Sequence, residues 1–205
     1  MIDAMLLPFQ RRLLDPAAHT LARKGVTADQ LTLAGFGLGL LAIPALAFGL
    51  YGVALVFILL NRLADGLDGA VARLTTPTDR GAFLDIALDF AFYALVPVGF
   101  ALAHPDQNAL PAAVLIAAFV GTGSSFLAFA VIAGQRGLRP EAYPTKGIYY
   151  LGGLTEGAET IALFIAMCLL PGLFPVLAYL FSAACLITTL TRWWQGWQAF
   201  ADKPD

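Results

Sequence analysis

The run Asp65-Gly66-Leu67-Asp68-Gly69-Ala70-Val71-Ala72-Arg73, continued by Gly81, Asp85 and Asp89, sets four carboxylates and an arginine between two strongly apolar segments. Charge among apolar neighbours is costly unless it is partnered, so any fold of this chain must bring these groups together. Asp65 and Asp68 are spaced i, i+3, and Asp85 and Asp89 are spaced i, i+4, so each pair lies on one face of a helix. Two antiparallel helices with a short connection bring both pairs to one place. Clustered hard oxygen ligands suit a divalent cation such as Mg²⁺ or Mn²⁺. Arg73 carries a planar donor fork matched to phosphate, and an ion pair with an aspartate is its plainer use. Gly66 and Gly69 admit a close backbone or ligand, although helix packing explains Gly66 equally well.

The remainder of the chain says where such a cluster must sit. Of 205 residues, 59% are hydrophobic and 13% charged, and the mean hydropathy is +0.76. That balance excludes an ordinary soluble domain and predicts an all-α, polytopic membrane protein. Six transmembrane helices are expected, at 31–50, 51–74, 81–103, 111–133, 155–170 and 174–194, measured against the ~20 residues that cross a bilayer. Residues 1–25 mix Leu6, Leu7, Leu13 and Leu14 with Arg11, Arg12, Arg23 and Lys24, the pattern of an amphipathic helix lying at the membrane interface. Pro8, Arg11, Arg12, Asp15 and Pro16 interrupt this stretch, so it does not read as a cleavable signal. Residues 1–205 are read as one integral-membrane domain, an interfacial helix followed by a six-helix bundle over 31–194.

Charge orients the bundle. With both termini in the cytoplasm, the Lys and Arg of the tails and of the 74–80 and 134–154 connections lie inside, and the outer connections near 49–52, 104–110 and 171–173 contain none. The carboxylate motif then lies just inside the cytoplasmic boundary. Trp193, Trp194 and Trp197 form an interfacial belt. Cys168 and Cys185 lie within apolar runs and read as small buried hydrophobes. Basic residues are few and dispersed, so no nucleic-acid partner is expected.

The run D-x2-D-G-x2-A-R followed by G-x3-D-x3-D resembles the CDP-alcohol phosphotransferases, membrane enzymes of phospholipid head-group assembly. All eight motif positions are present in order, although the connection Leu74–Arg80 is one residue shorter than is usual in that family. The resemblance implies transfer of a substituted phosphate from a CDP-linked alcohol, CDP-diacylglycerol being favoured, to the hydroxyl of an acceptor alcohol with release of CMP. It implies two Mg²⁺ or Mn²⁺ ions, with Asp65, Asp68 and Asp85 as ligands and Asp89 as a further ligand or, preferably, the general base. Gly69, Ala72 and Gly81 would leave room for the cytidine, and Arg73 would contact phosphate. It also implies a homodimer in a bacterial plasma (inner) membrane, with termini and active site cytoplasmic. The reverse arrangement stays open at this stage: a CDP-linked choline or ethanolamine donating to diacylglycerol. From another class, a divalent-cation transporter would also use intramembrane acids, but the outer halves of the spans continue no polar path.

Several residues carry two readings. Thr27 and Asp29 are helix-cap candidates at the start of the first span, and Asp29 and Thr32 lie where the resembled family approaches the nucleotide. Gly35, Gly37 and Gly39 give that span a small-residue face, and the Gly35/Gly39 and Gly153/Gly157 spacings permit close helix pairing. Gly121, Gly123, Ser124 and Ser125 predict tight packing or a kink. Glu156 and Glu159 either stabilise a helix N-terminus or, with Tyr149, Tyr150 and Thr155, face the acceptor. Lys146, Arg136 and Arg139 either bind an anionic acceptor or are ordinary positive-inside charges.

Overall fold

A computed structural model describes residues 2–137 and 153–201, with side chains from residue 12 onward. Among these residues the chain is helical throughout and contains no strand. Eight α-helices follow in order: α1 (Ile2–Arg23), α2 (Ala28–Leu40), α3 (Ala42–Ala47), α4 (Tyr51–Leu74), α5 (Asp79–Ala103), α6 (Pro105–Gln135), α7 (Gly157–Leu169) and α8 (Phe174–Ala199). A 3₁₀ turn at Pro171–Leu173 leads into α8.

The all-α membrane architecture holds. Four segments are long and apolar enough to span a bilayer: Ala28–Ala47, Asp79–Ala103, Pro105–Gln135 and Pro171–Ala199. The other two expected spans depart from that standard for definite reasons. The helix α4 has the length but carries Arg62, Asp65, Asp68 and Arg73, and α7 is apolar but has only 13 residues.

Local chemistry sets the helix boundaries. Thr27 caps α2 in a reciprocal capping box with Gln30, so Thr27 rather than Asp29 is the cap. The first span is not one helix: it breaks at Leu41. Pro44 lacks an N–H and its ring conflicts with the carbonyl four residues back, which accounts for the interruption. Helix α3 then ends in a Schellman turn, with Gly49 at φ +72° and hydrogen bonds from Gly49 N to Leu46 O (2.8 Å) and from Leu50 N to Ala45 O (2.8 Å). A left-handed residue is needed at that point, and glycine adopts it without a Cβ clash. Thr78 caps α5 by accepting from Gly81 N at 3.0 Å, so that helix begins two residues earlier than expected.

The expected outer loop at 104–110 is absent. Helix α6 starts at Pro105, directly after His104, because proline is well suited to a first helical turn where its missing N–H costs nothing. Asn108 Nδ2 donates to Phe100 O at 2.9 Å and ties this turn back onto α5.

The core lies where α3, α4, α5, α6, α7 and α8 meet, around Leu46, Ile58, Phe92, Val96, Phe100, Leu115, Phe164 and Phe174. Phe100 and Phe174 stack with centroids 4.7 Å apart, and Phe92 meets Phe164 edge-on. A second small cluster docks α1 on the C-terminal half of α4 through Leu14, Ala18, Ala70 and Val71. The amphipathic N-terminal helix therefore packs beside the motif helix. The glycine-rich face of α2 is used within the chain. A Cβ on Gly35 would lie 2.6 Å from Ala64 Cβ, and one on Gly39 would meet Phe92 and Asn61. Residues Gly121 and Gly123 likewise admit Thr189 and Phe90, so packing explains that stretch. Trp193, Trp194 and Trp197 are exposed on α8, as an interfacial belt requires.

Candidate active site

Helices α4 and α5 run antiparallel through the short connection at 75–78, and their polar faces meet. One carboxylate oxygen from each of Asp65, Asp68 and Asp85 lies within 4.8 Å of the others. Thus the i, i+3 pair on α4 and the first acid of the pair on α5 converge. With Asp89, Asn61, Arg62, Thr32, Gly35, Phe36 and Leu88 they line one small cleft between α2, α4 and α5.

The surrounding polar groups hold the carboxylates in place. Thr32 Oγ1 donates to Asp68 Oδ2 at 2.5 Å, across from α2. The position of Thr32 follows from Asn61 Nδ2 donating to Gly35 O at 3.0 Å, a buried bond that fixes the register of α2 on α4. Asp89 sits apart from the three-carboxylate set. Its Oδ1 accepts from Arg62 Nη2 at 2.6 Å. Arg62 Nη1 is 3.6 Å from Asp65 Oδ2 and donates to the Tyr93 hydroxyl at 3.2 Å. Arg62 Nε donates to Asn61 Oδ1 at 2.8 Å, and the guanidinium lies over the rings of Phe92 and Tyr93. Sequence reasoning assigned Arg62 no role. Its signal was available, since an arginine one turn before Asp65 shares the carboxylate face.

The donor set suits a divalent cation. Six oxygens around an Mg²⁺-sized ion at about 2.1 Å lie between about 3 and 4.2 Å apart, so modest side-chain rotation would close the set of Asp65, Asp68 and Asp85 onto one ion.

Other expected residues fall elsewhere. Gly69, Ala72, Arg73 and Gly81 lie outside the cleft lining. A Cβ on Gly69 would meet Arg73 Nη1 at 3.5 Å, and one on Gly81 would lie 3.0 Å from Asp29 Oδ1. Asp29 is itself paired with Arg80, Nη2 to Oδ2 at 2.6 Å. Glu156 and Glu159 form a capping box on α7, and Glu156 Oε1 accepts from Gly153 N at 2.9 Å, so their first-turn reading holds. Thr155 is buried on Thr188. Arg136 donates to Phe200 O at 3.1 Å. Arg139, Lys146, Tyr149 and Tyr150 lie outside the described residues. Cys168 and Cys185 are buried and unbridged, as expected.

Comparison with known proteins identifies the class this fold and site define. The model of the CDP-alcohol phosphatidyltransferase family matches residues 25–196, and the chain belongs to that family. It is 55% identical to the inner membrane protein YnjF of Escherichia coli K12 over 197 residues, 96% of each chain. It is 34% identical over 96 residues to the archaetidylinositol phosphate synthase of Pyrococcus horikoshii, spanning 46% of this chain and 51% of that one. Among solved structures, phosphatidylinositol phosphate synthase of Mycobacterium tuberculosis with CDP-DAG bound superposes with a TM-score of 0.71 at 23% identity, over 95% of this chain and 99% of that one. The same enzyme in complex with manganese and citrate gives 0.72 at 22% identity, over 94% and 93%. At this identity the likeness establishes the shared fold. The chain is therefore an enzyme of the transferase class, which answers the choice between transfer and ion transport.

Proposed function

We propose that this chain transfers a phosphatidyl group from CDP-diacylglycerol to the hydroxyl of a polar acceptor alcohol, releasing CMP, in phospholipid biosynthesis. The observation that carries this reading is the convergence of Asp65, Asp68 and Asp85 within 4.8 Å at the junction of α4 and α5. Family membership and a fold shared with an enzyme that binds CDP-DAG support it.

In this reading Asp65, Asp68 and Asp85 hold Mg²⁺ or Mn²⁺. Bound there, the metal neutralises diphosphate charge and favours in-line displacement at phosphorus. Arg73, in the last turn of α4, contacts phosphate by its donor fork. Gly69, Ala72 and Gly81 leave the space beside the carboxylates to the cytidine. Asp89 is the general base. Arg62 engages its Oδ1, so Oδ2 receives the proton of the acceptor hydroxyl as that oxygen attacks the phosphorus bearing the lipid alcohol, and the P–O bond to CMP breaks. Positioning and charge stabilisation supply the rate, with no covalent enzyme intermediate.

The chain is one domain, in a bacterial inner membrane, with its termini and site in the cytoplasm. The basic residues at those ends and the inner-membrane relative support this placement. It acts as a homodimer, and its pairing surface excludes the Gly35/Gly39 face that is used within the chain.

The test is CMP release by purified protein with Mg²⁺ or Mn²⁺. CDP-diacylglycerol is scanned against serine, glycerol 3-phosphate, inositol phosphate and choline, and diacylglycerol against CDP-choline and CDP-ethanolamine. Release with a CDP-diacylglycerol pair, lost in Asp89→Asn, is expected. Release only with a CDP-polar alcohol would reverse donor and acceptor. Silence with every pair and no binding of CDP-diacylglycerol would overturn the reading.

A further inference from the structure

Helix α1 has two unlike faces. Leu14 and Ala18 are buried on Ala70 and Val71 of α4, with Leu21 and Ala22 packed beside them. These α1 positions recur at i, i+4, i+7 and i+8, one stripe of a helix. Ala70 and Val71 stand two residues after Asp68 and two before Arg73, so α1 braces the motif helix within the motif itself. The contact is small and separate from the main core, which leaves α1 lightly held. On the opposite face Arg12 and Arg23 are exposed, as is Lys24 just beyond the helix. The spacing i, i+11 brings Arg12 and Arg23 to nearly the same side. Leu13, on the same outer face, is 66% exposed. Among the described residues no acid lies within ion-pair distance of Arg12, Arg23 or Lys24. The chain then turns sharply. Gly25, at φ +78°, closes a Schellman turn, with hydrogen bonds from Gly25 N to Ala22 O (3.0 Å) and from Val26 N to Leu21 O (3.1 Å). Helix α2, which opens the first span, begins at Ala28, so Arg23 and Lys24 stand at the edge of the bilayer.

We propose that the exposed face of α1 binds the headgroups of anionic phospholipids and that this contact holds α1 on α4, so that CMP release rises with the anionic fraction of the bilayer. The inference rests on the transfer reaction and the cytoplasmic placement proposed above. Four cations on one amphipathic segment beside a span, Arg11, Arg12, Arg23 and Lys24, suit an anionic leaflet. Each basic residue close to such a surface strengthens association about fivefold. Leu13 and Ala17 enter the headgroup layer among the cations, and the aliphatic stems of Arg12, Arg23 and Lys24 cover the apolar surface beside them. A zwitterionic headgroup carries no net charge and adds little to this attraction. Anionic headgroups favour the docked position of α1, and the docked helix supplies the packing that Ala70 and Val71 need. Positive charges that served only to orient the chain would leave α4 indifferent to lipid charge.

The experiment places the full chain in nanodiscs of phosphatidylcholine with a rising fraction of phosphatidylglycerol. Hydrogen–deuterium exchange is read over α1 and over the C-terminal half of α4. CMP release is read with CDP-diacylglycerol at a fixed mole fraction and with the polar acceptors of the assay above. Wild type is compared with Arg12→Gln/Arg23→Gln/Lys24→Gln and with Arg12→Lys/Arg23→Lys, all at exposed positions. In wild type, exchange should slow in both segments as phosphatidylglycerol increases, and CMP release should rise about fivefold, the effect of one such charge. High salt should shrink both responses, since exposed charges are screened. The lysine variant should respond like wild type, and the glutamine variant should stay at its neutral-bilayer level. Exchange in α4 of wild type that ignores phosphatidylglycerol overturns the proposal, and so does an equal response in the glutamine variant. No CMP release by wild type in any bilayer overturns the transfer reading instead, and exchange in α1 and α4 still decides the lipid contact.

Discussion

The hydroxyl of Thr32 donates to Asp68 Oδ2 across 36 positions of sequence, joining the first span to the carboxylate motif. Asp68 is buried, so this bond both satisfies a carboxylate oxygen and sets the direction in which the other faces. Thr32→Val keeps the shape and removes the donor. We expect metal affinity to fall about 10-fold, and Thr32→Ser to restore most of it. Mn²⁺ titration of the three proteins checks this.

Loss of a ligand is more severe. Asp65→Asn, Asp68→Asn and Asp85→Asn each break the set that lies within 4.8 Å. Transition-state charge stabilisation by a metal is worth several kcal/mol, so CMP release is expected to fall about 10³-fold. Chelation by EDTA should stop turnover of the wild type, and added Mn²⁺ should restore it. Turnover that survives EDTA would contradict the metal reading.

Close helix approach makes a separate prediction. A Cβ on Gly35 would lie 2.6 Å from Ala64 Cβ, and α4 cannot yield without moving the motif. Gly35→Ala is expected to destabilise the fold by about 1–3 kcal/mol. Gly37, whose added Cβ would meet nothing within 4 Å, is the internal control. Thermal denaturation in detergent should show a lower midpoint for Gly35→Ala than for Gly37→Ala.

The pair of Arg80 with Asp29 is short but brings little stability. Arg80 is 78% exposed, and water and salt screen the attraction. Arg80→Ala should change stability by less than about 1 kcal/mol. A large drop in the denaturation midpoint would show that the pair anchors the start of α5 more firmly than its exposure implies.

Much of the site was legible in the sequence because its information is local. The spacings of Asp65 with Asp68 and of Asp85 with Asp89 are one helical turn each, and the short Thr75–Thr78 connection permits an antiparallel return that brings the two pairs together. Helix ends were less legible. The break at Leu41 and the start of α6 at Pro105 come from single prolines, whose effect on a hydropathy profile is small. Glu156 and Glu159 had two equal readings, and the first-turn role became visible only in the capping box between them and in the bond from Gly153 N to Glu156.

The sequence by itself determined the membrane class and the four candidate acids, two to a helix face, since each follows from hydropathy or from helical spacing. Only the tertiary structure decided which acids meet and which is held aside. Asp89 was one more carboxylate in the pattern until Arg62, 27 residues earlier on another helix, proved to hold it at 2.6 Å. That choice depends on the rotation of α4 against α5 and on the packing of Phe92 and Tyr93 about the guanidinium. Spacing along one helix specifies a face, whereas the angle at which two faces meet is set by all the side chains between them.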